Sequence, residues 1–102
     1  MKLVAVTACP SGVAHTYLAA ESLEVAAKKH GVEIQVETQG SIGIENELTS
    51  ETIQAAGAVI LTNNIGIKNE ERFKGKPVVR VSAGDCINKG ELIVKKLIEK
   101  LG

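Results

Sequence analysis

Short apolar runs alternate with amphipathic stretches along this chain, and the order in which they come predicts its architecture. "KLVAVT" (Lys2 to Thr7) is an unbroken run of strong strand formers with turn chemistry behind it, the pattern of a strand buried on both faces. From about His15 the period changes: Ala19, Leu23, Ala26 and Ala27 form one stripe, with Glu21, Glu24 and Lys28 opposite, and Glu24 stands one helical turn before Lys28. Gly31 is placed to end that helix. "VEIQVET" (Val32 to Thr38) alternates strictly and predicts a strand with one drier face, at a sheet edge. After the glycine-containing loop "QGSIGIENE", Thr49 is suited to cap a short helix through Ala56, with Ser50 and Glu51 in its first turn and Gly57 beyond its end. "AVILT" (Ala58 to Thr62) and "PVVRV" (Pro77 to Val81) read as the third and fourth strands. The last helix reaches Leu101, with Ile87, Val94, Leu97, Ile98 and Leu101 on one face and Lys89, Lys96, Glu99 and Lys100 on the other.

This alternation, βαβαβαβα, predicts an α/β three-layer sandwich around a four-stranded parallel open sheet with right-handed crossovers and strand order 2-1-3-4. In such sheets ligands bind beyond the carboxyl ends of the strands, where the strand order reverses. That point lies just after the first strand, at Cys9.

At 102 residues the chain is expected to be one domain, residues 1–102, with a single core. One Tyr, one Phe and no Trp leave that core to Val, Ile, Leu and Ala. Twelve basic residues balance twelve acidic ones, so there is no overall field to gather polyanions and no aromatic platform for bases, which argues against nucleic-acid binding. The apolar runs fall far short of the roughly 20 residues of a membrane span, and no charged-then-apolar leader precedes the first strand. A cytoplasmic protein without direct membrane insertion is expected. Cys9 and Cys86 are far apart and suggest no disulfide framework. No metal or other cofactor is implied.

The junction "TACPSGVAHTYLAAE" carries the chemistry. A helix starting near Val13 directs unpaired N–H groups and the positive end of its dipole toward the residues before it. Gly12 lacks a Cβ and Pro10 stiffens the entry, so the backbone from Ser11 through Val13, Ala14 and His15 to Thr16 can curl into a nest of amides for phosphate, the Ser11 and Thr16 hydroxyls adding donors. The same field favours a thiolate at Cys9: a free cysteine titrates near about 8.5, and helix N-termini can bring that to about 3.5–7.5. A nucleophilic sulfur held against a phosphate cradle suggests phosphoryl transfer through a phosphocysteine. Cysteine phosphatases with a comparable loop carry an arginine after a five-residue spacer, whose fork clamps the equatorial oxygens. Here that position is His15, and the arginines, Arg72 and Arg80, are far along the chain. Holding the phosphoryl group for an acceptor fits better than hydrolysing it. His15 has two readings, a phosphate donor or proton shuttle, and a brace for the first helical turn.

"TACPSGVAHTYLAAE", followed by "VEIQVETQGSIG" and "ERFKGKPV", resembles the IIB domain of the fructose family of the bacterial phosphoenolpyruvate-dependent sugar phosphotransferase system, over nearly the whole chain. The resemblance implies that Cys9 accepts a phosphoryl group from a phosphohistidine on a phosphorylated IIA partner and donates it to a sugar held by the IIC membrane transporter. It also implies a four-stranded parallel sheet. One segment departs from the family pattern: "TNNIGIKNEERF" places Asn63, Asn64 and Gly66 where relatives more often carry small apolar residues and an acidic one, beside Cys9 and so bearing on partner choice or sugar class.

Two other functions compete. A monothiol redox protein would also use Cys9, but the resolving cysteine of a C-x-x-C pair is missing; a regulatory module would sense a partner's phosphorylation without catalysis. Elsewhere the bland readings prevail. Cys86 reads as a small buried hydrophobe, Gln39, Gly40 and Ser41 as the periphery of the site, Lys74, Gly75 and Lys76 as a solvated turn without a role, and "SAGD" before the last helix as a cap.

Overall fold

The computed structural model describes residues 2–8, 13–40, 43–62 and 67–101. Strand β1 (Lys2–Ala8) leads to helix α1 (Val13–Lys29), then β2 (Glu33–Gly40), β3 (Gly43–Glu45), α2 (Ser50–Ala55), β4 (Ala58–Thr62), a 3₁₀ turn (Glu70–Phe73), β5 (Val78–Val81) and α3 (Ala83–Leu101). The sheet order is β3-β2-β1-β4-β5. Its four long members, β2, β1, β4 and β5, are mutually parallel and reproduce the expected order 2-1-3-4. Three details correct the expectation. A fifth strand, β3, folds back antiparallel on β2, pairing Thr38 with Glu45 and Gly40 with Gly43, so β2 is interior and β3 takes the edge. The third crossover, from β4 to β5, carries a 3₁₀ turn where βαβαβαβα requires a helix. Helix α3 is kinked at Lys89 (φ −128°, ψ 22°).

Layering follows from the alternation of side chains along β1. Leu3 and Ala5 face α1 and α3, joined by Leu23, Ile60, Val94 and Leu97, while Val4 and Val6 face the opposite layer with Ile53 of α2, Leu61 and Phe73. Burying a leucine such as Leu23 contributes about 1.5–3 kcal/mol. Alanines 19, 20, 26 and 27 line the buried side of α1 and let α3 approach closely. At Gly90, one residue past the kink, an added Cβ would lie 3.3 Å from the Ser22 carbonyl oxygen, so a side chain there needs that backbone to give by a few tenths of an ångström.

The predicted stops and caps are present. Gly31, with φ +70°, lets the Val32 N–H reach the Ala27 carbonyl at 2.8 Å and the Gly31 N–H that of Lys28 at 3.2 Å, the paired bonds of a glycine-terminated helix. Thr49 Oγ1 accepts from the Thr52 N–H at 3.1 Å, and Ser82 Oγ from the Asp85 N–H at 3.0 Å, which makes "SAGD" the cap of α3.

Candidate functional site

Strand β1 ends at Ala8 and α1 begins at Val13, so the four residues 9–12 join the carboxyl end of an interior strand to the amino end of a helix. The expected roles of Cys9, Pro10, Ser11 and Gly12, and of Ser41, Asn63, Asn64 and Gly66, lie outside the described residues, as do those of the Val13, Ala14 and His15 side chains. The structure does describe the frame on either side of the junction.

That frame is built from threonines. Thr7 Oγ1 donates to the Thr16 carbonyl at 3.1 Å, tying the end of β1 to the first turn of α1. Thr62, the last residue of β4, accepts from the Ala8 N–H at 2.8 Å and donates to the Ala8 carbonyl at 3.0 Å. Thr16 is 1% exposed, yet its Oγ1 has no hydrogen-bond partner among the described residues. A buried hydroxyl without a partner costs about 1–3 kcal/mol, and such a group calls for an explanation, a bound species among them.

Electrostatics point the same way. Helix α1 has no acidic residue in its first turn and Lys28 and Lys29 in its last, so its side chains complement the negative end of the dipole and leave the positive end uncompensated. Tyr17 donates its hydroxyl to Glu45 of β3; that bond first, then desolvation and the Glu45 charge, holds the phenol above its ordinary range.

Both arginines are engaged elsewhere. Arg80 pairs with Glu70, and Arg72 Nη1 and Nη2 donate to Glu37 Oε1 and Oε2 at 2.7 and 2.6 Å. Glu37, at 0% exposed, also accepts from the Leu48 N–H at 2.9 Å and from Gln39 Nε2 at 2.9 Å. The Gln39 carboxamide in turn holds both backbone groups of Lys68, accepting its N–H at 2.8 Å and donating to its carbonyl at 3.1 Å. Burial alone pushes the Glu37 carboxyl up, but the bonds from Arg72, Gln39 and Leu48 together outweigh it and leave the group below the ordinary carboxylate range. Sequence reading missed this network. Gln39, expected at the site's periphery, is a buried brace one position across the sheet from Ala8, its register partner.

Two further expectations are decided here. Cys86 is 0% exposed, and burial, followed by the Asp85 charge, pushes its thiol up to about 11, in keeping with an inert core residue. Lys76 is not merely solvated: its ammonium donates to the Gln54 and Ala56 carbonyls at 2.8 and 2.9 Å, satisfying the open end of α2. Among the described residues no group of His, Cys, Asp and Glu is arranged to hold a metal ion, and no helix is long and apolar enough to cross a membrane. In the folded protein at neutral pH, Cys86 is expected to resist iodoacetamide while Cys9 reacts within minutes. Peptide mapping after partial alkylation measures both, and equal rates would remove the electrostatic distinction between them.

Residues 4–96 match the family described as "PTS system, Lactose/Cellobiose specific IIB subunit". The chain is 62% identical over 96 residues to the "PTS system fructose-like EIIB component 2" of Escherichia coli K12, an alignment covering 94% of this chain and 91% of that protein. It is 44% identical over 96 residues to the "PTS system 2-O-alpha-mannosyl-D-glycerate-specific EIIABC component" of the same organism, where the match spans 94% of this chain and 15% of the relative. Among solved structures, a domain of the fructose-specific IIABC component from Borrelia burgdorferi superposes with a TM-score of 0.88 at 58% identity, covering 93% of this chain and 90% of that one.

Proposed function

The chain belongs to the IIB family of the sugar phosphotransferase systems, and from that premise we propose that Cys9 is its phosphoryl carrier, loaded by a phosphohistidine of a IIA protein and discharged to a fructose-like sugar held by a IIC transporter. In the first step the Cys9 thiolate attacks phosphorus, an S–P bond forms, the N–P bond breaks, and the imidazole leaves with the electron pair. In the second a sugar hydroxyl oxygen attacks phosphorus, the S–P bond breaks, and the thiolate returns while the hydroxyl proton passes to a base. The backbone of Ser11 to Thr16 binds the phosphoryl oxygens in both steps.

The observation that carries this reading is the Thr16 hydroxyl, buried and without a hydrogen-bond partner among the described residues, in the first turn of the helix that follows the cysteine. A phosphoryl oxygen in the loop before the helix is an acceptor that such a donor can take. The charge pattern of α1 and the commitment of Arg72 and Arg80 to carboxylates agree with it: the site binds a dianion through dipoles, without the guanidinium that assists water in displacing sulfur.

The test is to incubate the protein with phosphoenolpyruvate, the two general phosphotransferase proteins and candidate IIA domains, and to follow intact mass. One phosphoryl group should be gained, should sit on Cys9, and should persist when water is the sole acceptor. Failure to load from every IIA domain would overturn the carrier reading. Rapid spontaneous loss would replace it with a phosphatase.

A further inference from the structure

Backbone pairing between β1 and β4 runs from Leu3 with Ala58 to Val6 with Leu61. Beyond it, the tie between the strands at Ala8 is made by a side chain. The Thr62 hydroxyl accepts the Ala8 N–H at 2.8 Å and donates to the Ala8 carbonyl at 3.0 Å. A hydroxyl has one proton and two lone pairs, so both bonds form together in a single orientation, proton toward the carbonyl and lone pair toward the amide. Thr62 is 1% exposed, so bulk water does not compete, and its β-branched side chain is stiff about χ1. On the other side Ala8 is in register with Gln39 of β2, whose carboxamide is fixed by Glu37 and Lys68.

We infer that Thr62 is a positioning residue for phosphoryl transfer: by fixing both backbone groups of Ala8, it sets the direction in which the chain leaves β1 toward the nucleophile. The carbonyl it holds belongs to the peptide group that leads into residue 9, and that group is planar. Rotating the group re-aims whatever follows it. In-line attack on phosphorus tolerates little misalignment, and a displacement of about 1 Å can cost about 100-fold in rate. The inference rests on the reading of Cys9 as the carrier.

The test uses Thr62→Val, which keeps the shape and removes the hydroxyl, and Thr62→Ser, which restores it. Loading from phosphorylated IIA should slow by about 10- to 100-fold in Thr62→Val, with the loss in kcat rather than KM, and Thr62→Ser should recover most of it. If Thr62 merely closes the strand, Thr62→Val will melt at lower temperature but load at the wild-type kcat while folded, and that result overturns the inference. Should Thr62→Val not fold, the same rates are read for Thr62→Ala with trimethylamine N-oxide, which favours compact states. Cys9→Ser, run alongside, separates the two failures: if it still gains a phosphoryl group the carrier reading falls, whereas a dead Cys9→Ser with an unimpaired Thr62→Val defeats the positioning role alone.

Discussion

Cys9→Ser should gain no phosphoryl group from any IIA donor, whereas Cys86→Ala should load as the wild type does. The contrast follows from where each sulfur stands. Cys86 is sealed in the core between α1 and α3 with its thiol pushed up to about 11, so roughly one molecule in ten thousand carries that thiolate at neutral pH, and the thiolate is the nucleophile. In the proposed reading Cys9 is ionised by the dipole of α1, whose first turn carries no acidic residue. A serine hydroxyl at that position stays protonated and is a weak nucleophile without an adjacent base. Alanine is preferred at position 86 because a serine there would bury a hydroxyl at a cost of about 1–3 kcal/mol. Intact mass after incubation with the phosphorylated donor decides the matter, and a dead Cys86→Ala would show that the site has been misplaced.

Arg72→Ala should be strongly destabilising, lowering the free energy of unfolding by about 3–5 kcal/mol, as expected when one partner of a buried ion pair is removed. Glu37 would remain charged and enclosed, with only the Gln39 and Leu48 donors left to it. The double variant Glu37→Leu/Arg72→Met should lose less than the sum of its two single changes, because no charge is then stranded. The pH dependence gives a second check. The folded-state Glu37 carboxyl lies below its ordinary value, so its contribution is complete above about pH 4.3 and is lost as the pH falls through the lowered value. The gap between wild type and Arg72→Ala should therefore narrow on acidification. Urea midpoints at pH 7 and in the acid range measure it, and a gap that widens on acidification would contradict this account.

The parallel sheet was legible because Lys2 to Thr7 and Ala58 to Thr62 are continuous runs of strand formers, a pattern that few other arrangements satisfy. Glycine and hydroxyl residues marked the helix ends for the same local reason, since φ beyond +20° or an open N–H calls for them. What escaped was non-local. Glu37 and Gln39 alternate with Val36 and Thr38 as solvent-facing residues should, but their side chains turn into a closed polar network whose main partner, Arg72, is 35 residues away. No spacing rule links them. Strand β3 escaped because three residues beginning with a glycine offer no periodicity to read, and its presence moved β2 from the edge to the interior. The kink in α3 was hidden because Lys89, where it falls, is an ordinary helix former. The family was legible in the residue types of the junction, while the Thr62 clamp on Ala8 joins residues 54 apart and belongs to the folded state alone.

The two edges of the sheet bear on how the protein behaves when concentrated. With a formal net charge of zero near neutral pH, its molecules do not hold one another apart by long-range repulsion. An open strand edge under those conditions is a template for unwanted pairing. One edge here is β3, only three residues long and ending in Glu45. The other is β5, four residues long, preceded by Pro77, with Arg80 paired to Glu70. Both edges are therefore short and carry a charged residue, the features by which sheet edges discourage pairing with another chain.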